Sequence, residues 1–257
     1  SVQGVRVTRT FIPHDYQHES IDWLTSHRRP GLFAPMGGGK TVCTLTALEH
    51  LNMVEPVYPA LILAPLRVAN MTWPAEVHKW QHTEHLRVSA IAGRKSPATS
   101  ATRADRAKAL ATPADIYTMP YDSLDWLVDH CGSNWPFKTV VADELSRLKS
   151  YRTRQGGKRA AALAKVAHTD VHRFIGLTGT PAANGLQDLW GQIHFLDKGE
   201  RLGRTYSAFT DRWFRTGWDG FSLEPMAHAQ REIQERLADI CLTVTGRDVA
   251  ETQEHPI

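Results

Sequence analysis

A glycine-rich segment near the start of the chain has the residue types that bind phosphate. Residues 34–41 read APMGGGKT and follow the apolar run Gly31-Leu32-Phe33. The spacing matches G-x-x-x-x-G-K-[ST], except that Ala34 stands at the first glycine position. Glycines allow successive backbone N–H groups to face phosphate oxygens, while Lys40 can reach the β- and γ-phosphates and the Thr41 hydroxyl can ligate Mg²⁺. A glycine-rich turn that binds nothing is the alternative. The predicted nucleotide contacts are Met36, Gly37, Gly38, Gly39, Lys40 and Thr41.

A pair of carboxylates later in the chain could complete this chemistry. Asp143 and Glu144 directly follow Thr139-Val140-Val141-Ala142, a run typical of a buried strand. Asp143 could hold Mg²⁺ together with Thr41, and Glu144 could orient and deprotonate an attacking water. The sequence therefore predicts phosphoryl transfer to water, with Lys40, Asp143 and Glu144 as the catalytic residues.

Short apolar runs alternate with helix-like segments before these motifs and between them. Such alternation predicts βαβ units and a parallel sheet with helices on both faces. The predicted strands are residues 32–34, 60–64, 88–92, 115–119, 139–142 and 174–177, and the predicted helices are residues 16–26, 41–51, 69–80, 103–110, 123–130 and 158–166.

Composition narrows the class of protein. The chain has 257 residues, of which 42% are apolar and 22% charged, as in ordinary globular proteins. It has neither an apolar run of membrane-spanning length nor a signal peptide, so we expect no membrane association. Three scattered cysteines without a CxxC pair argue against zinc and disulfides and favour a reducing cytosol. We expect a cytoplasmic protein of a bacterial or phage-infected cell, or a nuclear protein if the source is a eukaryote. The formal net charge of +3 is a weak indication of a polyanionic partner.

Thirteen histidines raise the question of a metal site. Two groups have the spacing of a helix face, but no nearby cysteine or carboxylate pair completes a tetrahedral set. Solvated surface histidines are the preferred interpretation, and a metal site is the alternative. The two groups are His78, His82 and His85, and His168 and His172.

Five blocks between residues 14 and 196 carry a family resemblance. They read HDYQHESIDWL (14–24), LILAPLRVANMTWPAEVHKW (61–80), DIYTMPYDSL (115–124), DELSRLKS (143–150) and LTGTPAANGLQDLWGQIHFL (177–196). In content and order they resemble the Q-motif block, motif Ia, a strand and turn, the DEAH block and motif III of Swi/Snf-type ATPases, within helicase superfamily two. The compact spacing is similar to that of phage-encoded members. Ser146 stands where the family has the histidine of DEAH.

The resemblance implies a RecA-like phosphate-loop lobe that uses ATP and Mg²⁺ and contacts double-stranded DNA. Gln17 would read the adenine edge. Thr178 and Thr180 would couple the nucleotide site to the DNA groove. In the turn Pro65-Leu66-Arg67, the backbone N–H groups of Leu66 and Arg67 and the Arg67 guanidinium would contact DNA phosphates.

Residues 147–159 (RLKSYRTRQGGKR) form the densest basic stretch of the chain, without an acidic residue. A solvated loop is one interpretation. A phosphate-contacting surface is favoured because the stretch follows the predicted strand end at Asp143; its DNA contacts would be Arg147, Lys149 and Arg152. A second, weaker basic group comprises Arg94, Lys95, Arg103 and Arg106.

We expect residues 1–196 to form the ATP-binding lobe and residues 197–240 a small helical appendage, with helices at 206–214 and 227–240. Its aromatic residues would pack against one another, with a base-stacking platform as the alternative. These are Tyr206, Phe209, Trp213, Phe214, Trp218 and Phe221. Residues 241–257 would begin the linker to a second RecA-like lobe, which the chain lacks and which would supply an arginine finger.

Together these features predict the ATP-binding lobe of a DNA-dependent ATPase that translocates on double-stranded DNA, with little activity on its own. The alternatives are a strand-separating helicase, the motor of a restriction enzyme, or a non-enzymatic DNA-binding module with a vestigial nucleotide site. A small-molecule phosphotransferase would not need the LTGTP block or motif Ia.

Overall fold

A seven-stranded parallel sheet forms the centre of the computed structural model, which describes residues 7–91, 102–152 and 157–253. Its strands are β1 Gly31–Phe33, β2 Ala60–Ala64, β3 Val88–Ala90, β4 Ile116–Pro120, β5 Thr139–Asp143, β6 Arg173–Thr178 and β9 Cys241–Thr243. The strand order is β3-β4-β2-β5-β6-β1-β9, and every neighbouring pair in it is parallel.

The central strands are apolar on both faces, as strands between two helical layers must be. In β2, Leu61 and Leu63 belong to one core cluster, and Ala60, Ile62 and Ala64 belong to the other. All five are fully buried. The predicted parallel sheet with helices on both faces is therefore confirmed.

Helices fill the connections between the strands. Local signals define several of their starts: Thr102 caps α4 by accepting the N–H of Asp105, and Thr205 caps α8 by accepting that of Ala208. The helices are α1 Asp15–Ser26, α2 Lys40–Asn52, α3 Trp73–Lys79, α4 Arg103–Ala111, α5 Leu124–Cys131, α6 Lys158–Ala167, α7 Leu189–Asp197, α8 Tyr206–Trp213, α9 Ala229–Leu237 and α10 Gly246–Gln253. A π-helical turn, Val68–Thr72, precedes α3.

The segment predicted as a helical appendage contains both predicted helices, α8 and α9, and in addition a hairpin that was not predicted. Between α8 and α9 lies an antiparallel hairpin of β7 Phe214–Thr216 and β8 Leu223–Pro225. Phe209 and Trp213 are fully buried in the same core cluster as the sheet. The hairpin was missed because each strand has only three residues, too few for a period to be recognised.

The aromatic residues of this segment do not all share one environment. The first four pack into the core or against it, and the ring of Phe209 contacts the other three, so these four pack against one another as predicted. Trp218 and Phe221 are instead 97% and 93% exposed, near the turn that joins β7 to β8.

Residues 241–243, predicted as the start of a linker, form the edge strand β9 beside β1. The Cys241 side chain fills the space beside Gly31, since a Cβ on Gly31 would lie 2.8 Å from the sulfur of Cys241. The division of the chain into a lobe, an appendage and a linker remains a prediction.

Two of the histidines predicted to be solvated are only partly exposed and contact other side chains. His82 Nε2 lies 2.8 Å from the Thr46 hydroxyl, and His168 is partly buried in edge contact with His194. Over the described ranges, no three His, Cys, Asp or Glu side chains are grouped so as to hold a metal ion. In those same ranges, no helix has the length and apolarity needed to cross a membrane.

Candidate active site

The carboxyl ends of four neighbouring strands bring most of the predicted site residues to one edge of the sheet. The order β2-β5-β6-β1 places the turn after Ala64 beside Asp143, then Thr178, then the loop after Phe33. In open α/β sheets this edge is where ligands bind.

The glycine-rich loop connects β1 to α2 and requires glycine at two positions. Gly37 and Gly39 have φ angles of 82° and 74°, which disfavour residues with a Cβ. Gly39 is the N-cap of α2, so the positive end of that helix dipole begins at the loop. The loop therefore has the backbone form and the helix position of a phosphate cradle.

Lys40, the first residue of α2, turns its side chain back into the loop. Its Nζ donates hydrogen bonds to the carbonyl oxygens of Ala34 (2.6 Å) and Pro35 (3.1 Å). Burial lowers the pKa of Lys40, while the carboxylates of Asp143 and Glu144 act in the opposite direction. The amine thus lies between the loop and the acidic pair.

Asp143 ends β5 and is 9% exposed. Its Oδ2 accepts a hydrogen bond from the indole N–H of Trp73 at 2.8 Å. Burial raises the pKa of Asp143, and the bond from Trp73 opposes that rise by stabilising the carboxylate.

Glu144 has a left-handed backbone, with φ 63° and ψ 58°, that is uncommon for a residue with a Cβ. Surrounding contacts hold this turn in place. The buried Tyr121 hydroxyl donates to the carbonyl oxygen of Asp143 at 2.7 Å. Gly176 of β6 makes room for Leu145, because a Cβ there would lie 2.6 Å from that side chain. The strain is therefore supported on both sides, as is common where backbone geometry serves function.

These groups line one cavity of about 1090 Å³. The structure thus brings together the residues predicted to bind phosphate, the metal ion, the attacking water and the adenine base. These are Lys40, Thr41, Asp143, Glu144 and Gln17. Met36, Gly37 and Gly39 line the cavity as well.

The donor set in the cavity fits Mg²⁺. This ion prefers oxygen ligands and is usually held by one or two carboxylates together with phosphates and water. Thr41 and Asp143 supply a hydroxyl and a carboxylate on the cavity wall. A set of three protein ligands is not needed for such a site.

Gln17 is buried and lies against the phosphate loop. A Cβ on Gly39 would lie 2.5 Å from its Nε2, while its Oε1 accepts the backbone N–H of His14 at 3.0 Å. The amide is thus held between the start of α1 and the loop. Its role toward adenine remains a prediction.

Thr178 and Thr180 lie where β6 ends. Thr178 is fully buried, and its hydroxyl accepts the backbone N–H of Thr180 at 3.3 Å, whereas Thr180 is exposed. A Cβ on the intervening Gly179 would lie 3.3 Å from the carbonyl oxygen of Ala34. Motif III therefore packs directly against the phosphate loop.

The residues predicted to contact DNA differ in their exposure to solvent and in whether their charges already have a partner. Leu66, Arg67 and Arg147 are exposed. Lys149 Nζ lies 3.6 Å from Asp188 Oδ2. The Arg152 guanidinium lies 3.6 Å above the ring of Tyr206 and donates to the carbonyl oxygens of Lys149 and Tyr151. Arg152 thus stabilises the backbone of the basic segment, which is the stretch 147–159. The charge of Arg147 is the more exposed of the two.

The backbone of this segment rests on α7. A Cβ on Gly191 would lie 2.7 Å from the carbonyl oxygen of Lys149, so only glycine permits the contact. Within the stretch, residues 153–156 lie outside the described residues.

Only part of the second basic group can be placed: Arg103 is exposed as predicted, whereas Arg106 is not. Arg106 is 5% exposed and lies 5.0 Å from the ring of Trp126, so its assignment as a solvent-facing phosphate contact is wrong. Arg94 and Lys95 lie outside the described residues.

Two supporting residues, Trp73 and Tyr121, were not assigned a role from the sequence. Both lie in blocks already noted, as the tryptophan of motif Ia and the tyrosine after the fourth strand. A buried aromatic side chain with a polar atom usually needs a hydrogen-bond partner. Only the fold shows that both side chains bond to Asp143, in the turn formed by Asp143 and Glu144, which we call the acidic turn.

Comparison with known proteins gives a consistent result. Residues 16–253 match the family described as "SNF2-related domain". The chain is 48% identical over 245 residues to "Putative protein p41" of Acyrthosiphon pisum secondary endosymbiont phage 1, which covers 93% of this chain and 52% of that protein. It is 26% identical over 225 residues to "ATP-dependent DNA helicase DDM1" of Arabidopsis thaliana, covering 86% of this chain and 27% of that protein.

Solved structures share the fold. The "Sulfolobus solfataricus SWI2/SNF2 ATPase core in complex with dsDNA" superposes with a TM-score of 0.71 at 26% identity, covering 95% of this chain and 47% of that one. The UvsW helicase of bacteriophage T4 shares the fold at 15% identity, with a TM-score of 0.54 over 75% of this chain and 62% of that one. The chain thus spans about half the length of the phage relative and of the Sulfolobus core.

Proposed function

Since the chain belongs to the family of SNF2-related domains, we propose that it is the nucleotide-binding lobe of a motor that hydrolyses ATP and moves along double-stranded DNA. The observation that carries the proposal is the meeting of Lys40, Asp143 and Glu144 at one cavity on the carboxyl edge of the sheet. Phosphoryl transfer to water requires a cation that binds phosphate, a carboxylate that binds a metal ion and a second carboxylate that activates the attacking water.

The phosphate loop and α2 bind the nucleotide phosphates in this proposal. Backbone N–H groups around Gly37 and Gly39 face the phosphate oxygens, and Lys40 pairs with the outer phosphate charges. Thr41 and Asp143 hold Mg²⁺, which neutralises phosphate charge when bound. These side chains orient the terminal phosphate relative to the acidic turn.

Glu144 orients the attacking water and takes its proton. It lies next to the metal-binding aspartate on the cavity wall, and its left-handed backbone is fixed by the neighbouring contacts of Tyr121 and Leu145. A water between Glu144 and the terminal phosphate would meet a base that the fold already holds in place.

DNA contacts follow the same edge of the sheet. Leu66 and Arg67 are exposed in the turn after β2, and Arg147 is exposed after the acidic turn. These turns follow neighbouring strands, so a DNA backbone lying across the edge can reach both. The Sulfolobus ATPase core of the same fold was solved with double-stranded DNA, which supports this choice of partner.

In our proposal, a second lobe completes the ATPase site. The chain covers about half of the phage relative, which leaves room there for a further domain of similar size. Such a lobe would close over the cavity and supply an arginine to the developing charge on the phosphate. The present chain would then bind ATP and hydrolyse it only slowly.

A vestigial site is disfavoured by the side chains themselves. The lysine, the threonine and both carboxylates are present and share one cavity. A binding module without catalysis would have no need of a strained, supported glutamate beside the metal aspartate.

The test combines binding by this chain with turnover by the intact protein that contains it. We expect the chain to bind Mg-ATP in calorimetry, and we expect duplex DNA to stimulate ATP hydrolysis by the intact protein. Displacement of a third strand from duplex DNA, without separation of the duplex, would distinguish a translocase from a strand-separating helicase. An ATP turnover rate of the intact protein that is the same with and without DNA would contradict the proposal.

A further inference from the structure

The indole of Trp73 connects motif Ia to the aspartate proposed to hold the metal ion. Trp73 is fully buried at the start of α3, and its Nε1 donates to Asp143 Oδ2 at 2.8 Å. The two residues are 70 positions apart, so the bond joins separate elements of the fold. A hydrogen bond to an ionised acceptor is roughly twice as strong as one between neutral groups.

Other buried tryptophans show that the fold does not need a metal-site partner to satisfy an indole. Trp190 Nε1 donates to the carbonyl oxygen of Gly203 at 2.8 Å, and Trp213 Nε1 donates to Glu232 Oε2 at 2.8 Å. Neither acceptor lines the proposed nucleotide cavity, whereas Asp143 does. The partner of Trp73 is therefore the one whose orientation matters for the proposed chemistry.

We propose that Trp73 is a positioning residue that sets the orientation of the Asp143 carboxylate toward Mg²⁺. A carboxylate has two oxygens, so a bond that holds Oδ2 against the indole also fixes where Oδ1 lies. Groups that hold a ligating side chain in this way typically contribute about 10- to 100-fold to metal affinity. This inference rests on the proposed function, since it assumes that Asp143 ligates the ion.

The position of Trp73 extends the effect toward the proposed DNA surface. The π-helical turn Val68–Thr72 lies between Arg67 and Trp73, and the N–H of Trp73 closes it by bonding to the carbonyl oxygen of Val68. Ala69 N–H bonds in turn to the carbonyl oxygen of Pro65 at 2.9 Å. Hydrogen bonds thus connect the exposed turn after β2 with Trp73 and, through its indole, with Asp143.

The test measures the affinity of this chain for ATP with saturating Mg²⁺ and with excess chelator. Trp73→Phe keeps an aromatic side chain, although a smaller one, and removes the donor. We expect it to leave the metal-free affinity within twofold and to weaken the Mg²⁺-dependent affinity about 10- to 100-fold. The matched control Trp213→Phe removes another indole–carboxylate bond, between residues that do not line the cavity, and should change neither affinity.

A double-mutant cycle separates positioning from a general structural effect. In an Asp143→Asn background the Mg²⁺-dependent gain should already be small, and Trp73→Phe should reduce it no further. An equal loss in both backgrounds, or full Mg²⁺ dependence in Trp73→Phe alone, would overturn the inference while leaving the proposed function intact. Failure of the unmodified chain to bind ATP under either condition would refute both.

A second measurement needs no change at Trp73, in case that variant does not fold. In the assigned spectrum of the ¹⁵N-labelled chain, the Trp73 indole N–H resonance should shift in Asp143→Asn and on addition of Mg²⁺ with ADP. The Trp213 resonance should stay in place. A Trp73 resonance that responds to neither change would rule out the bond as a determinant of the metal site.

Discussion

The backbone N–H of Ala34 donates to the carbonyl oxygen of Thr178 at 3.1 Å. This bond continues the pairing of β1 with β6 by one residue, so the phosphate loop leaves the sheet from a fixed point on motif III. It also accounts for alanine at the first glycine position of the loop. Ala34 is buried at a strand end and is absent from the positions with positive φ, so nothing there requires glycine.

Replacement of Lys40 by alanine should abolish Mg-ATP binding or weaken it at least about 100-fold, since two or more charge-assisted bonds to phosphate are lost. Calorimetric titration of the chain with Mg-ATP measures the effect. Lys138→Ala is the matched control because Lys138 is exposed just before β5, at the opposite edge of the sheet. Equal affinities of wild type and Lys40→Ala would remove the phosphate-loop assignment.

Replacement of Gln17 by alanine should reduce the preference for ATP over GTP. The amide can pair with N6 and N7 of adenine but mismatches O6 of guanine. The ratio of the two affinities is the proper measure, because Gln17 also accepts the N–H of His14 and its loss will loosen α1 for both nucleotides alike. A wild-type chain that binds ATP and GTP equally would contradict the adenine role.

Removal of exposed arginines should lower the salt dependence of DNA binding. Arg67→Ala and Arg147→Ala should each reduce the slope of log affinity against log salt by about one, because each loses a phosphate contact and its released counterion. Arg231→Ala on α9 serves as the control, since that exposed arginine pairs with Glu235. Lys149→Glu with Arg152→Glu should also flatten the slope, but together with a loss of local packing around Tyr206. Unchanged slopes in Arg67→Ala and Arg147→Ala would place the DNA surface elsewhere.

Replacement of Glu144 by glutamine in the intact protein should keep ATP binding and lower turnover about 10²- to 10⁴-fold, because an amide cannot accept the proton of water. Steady-state hydrolysis with and without duplex DNA measures this. The present chain alone should show only residual turnover, since an arginine finger is worth about 10³- to 10⁵-fold in related enzymes. A chain as fast as the intact protein would mean that one lobe suffices for catalysis.

Acid should destabilise the fold through His168. Burial, with Arg29 and His194 nearby, lowers the pKa of His168 to about 4. The native side chain stays neutral while the unfolded one takes up a proton below about pH 6.5, so stability falls as the pH decreases from 6.5 to 4. His168→Gln should remove about 1 kcal/mol of that loss, a value reduced for partial exposure. Thermal unfolding across this range measures it, with the exposed His172→Gln as control; parallel curves for wild type and His168→Gln would show that another group is responsible.

The sequence predicted the phosphate loop, the acidic pair and the parallel sheet because each depends on local spacing or on a continuous apolar run. Strand β9 was missed because Cys241–Thr243 is three residues long and is defined only by its pairing with β1. The partner of Trp73 could not be predicted, since a tryptophan in a helix does not specify which distant acceptor satisfies it. Arg106 was misassigned because composition does not reveal that a cation lies buried against Trp126.

Gly191 sets a limit on how this chain can be engineered. Glycine within a helix costs about 1 kcal/mol relative to alanine, and its replacement is a common route to a more heat-resistant protein. In α7 that exchange would push a methyl group against the carbonyl oxygens of Leu148 and Lys149, only 2.8 and 2.7 Å away. Any gain in helix propensity would be offset by displacement of the basic segment. A stabilised variant of this lobe should therefore keep Gly191 and take its substitutions from helices that carry no such contact.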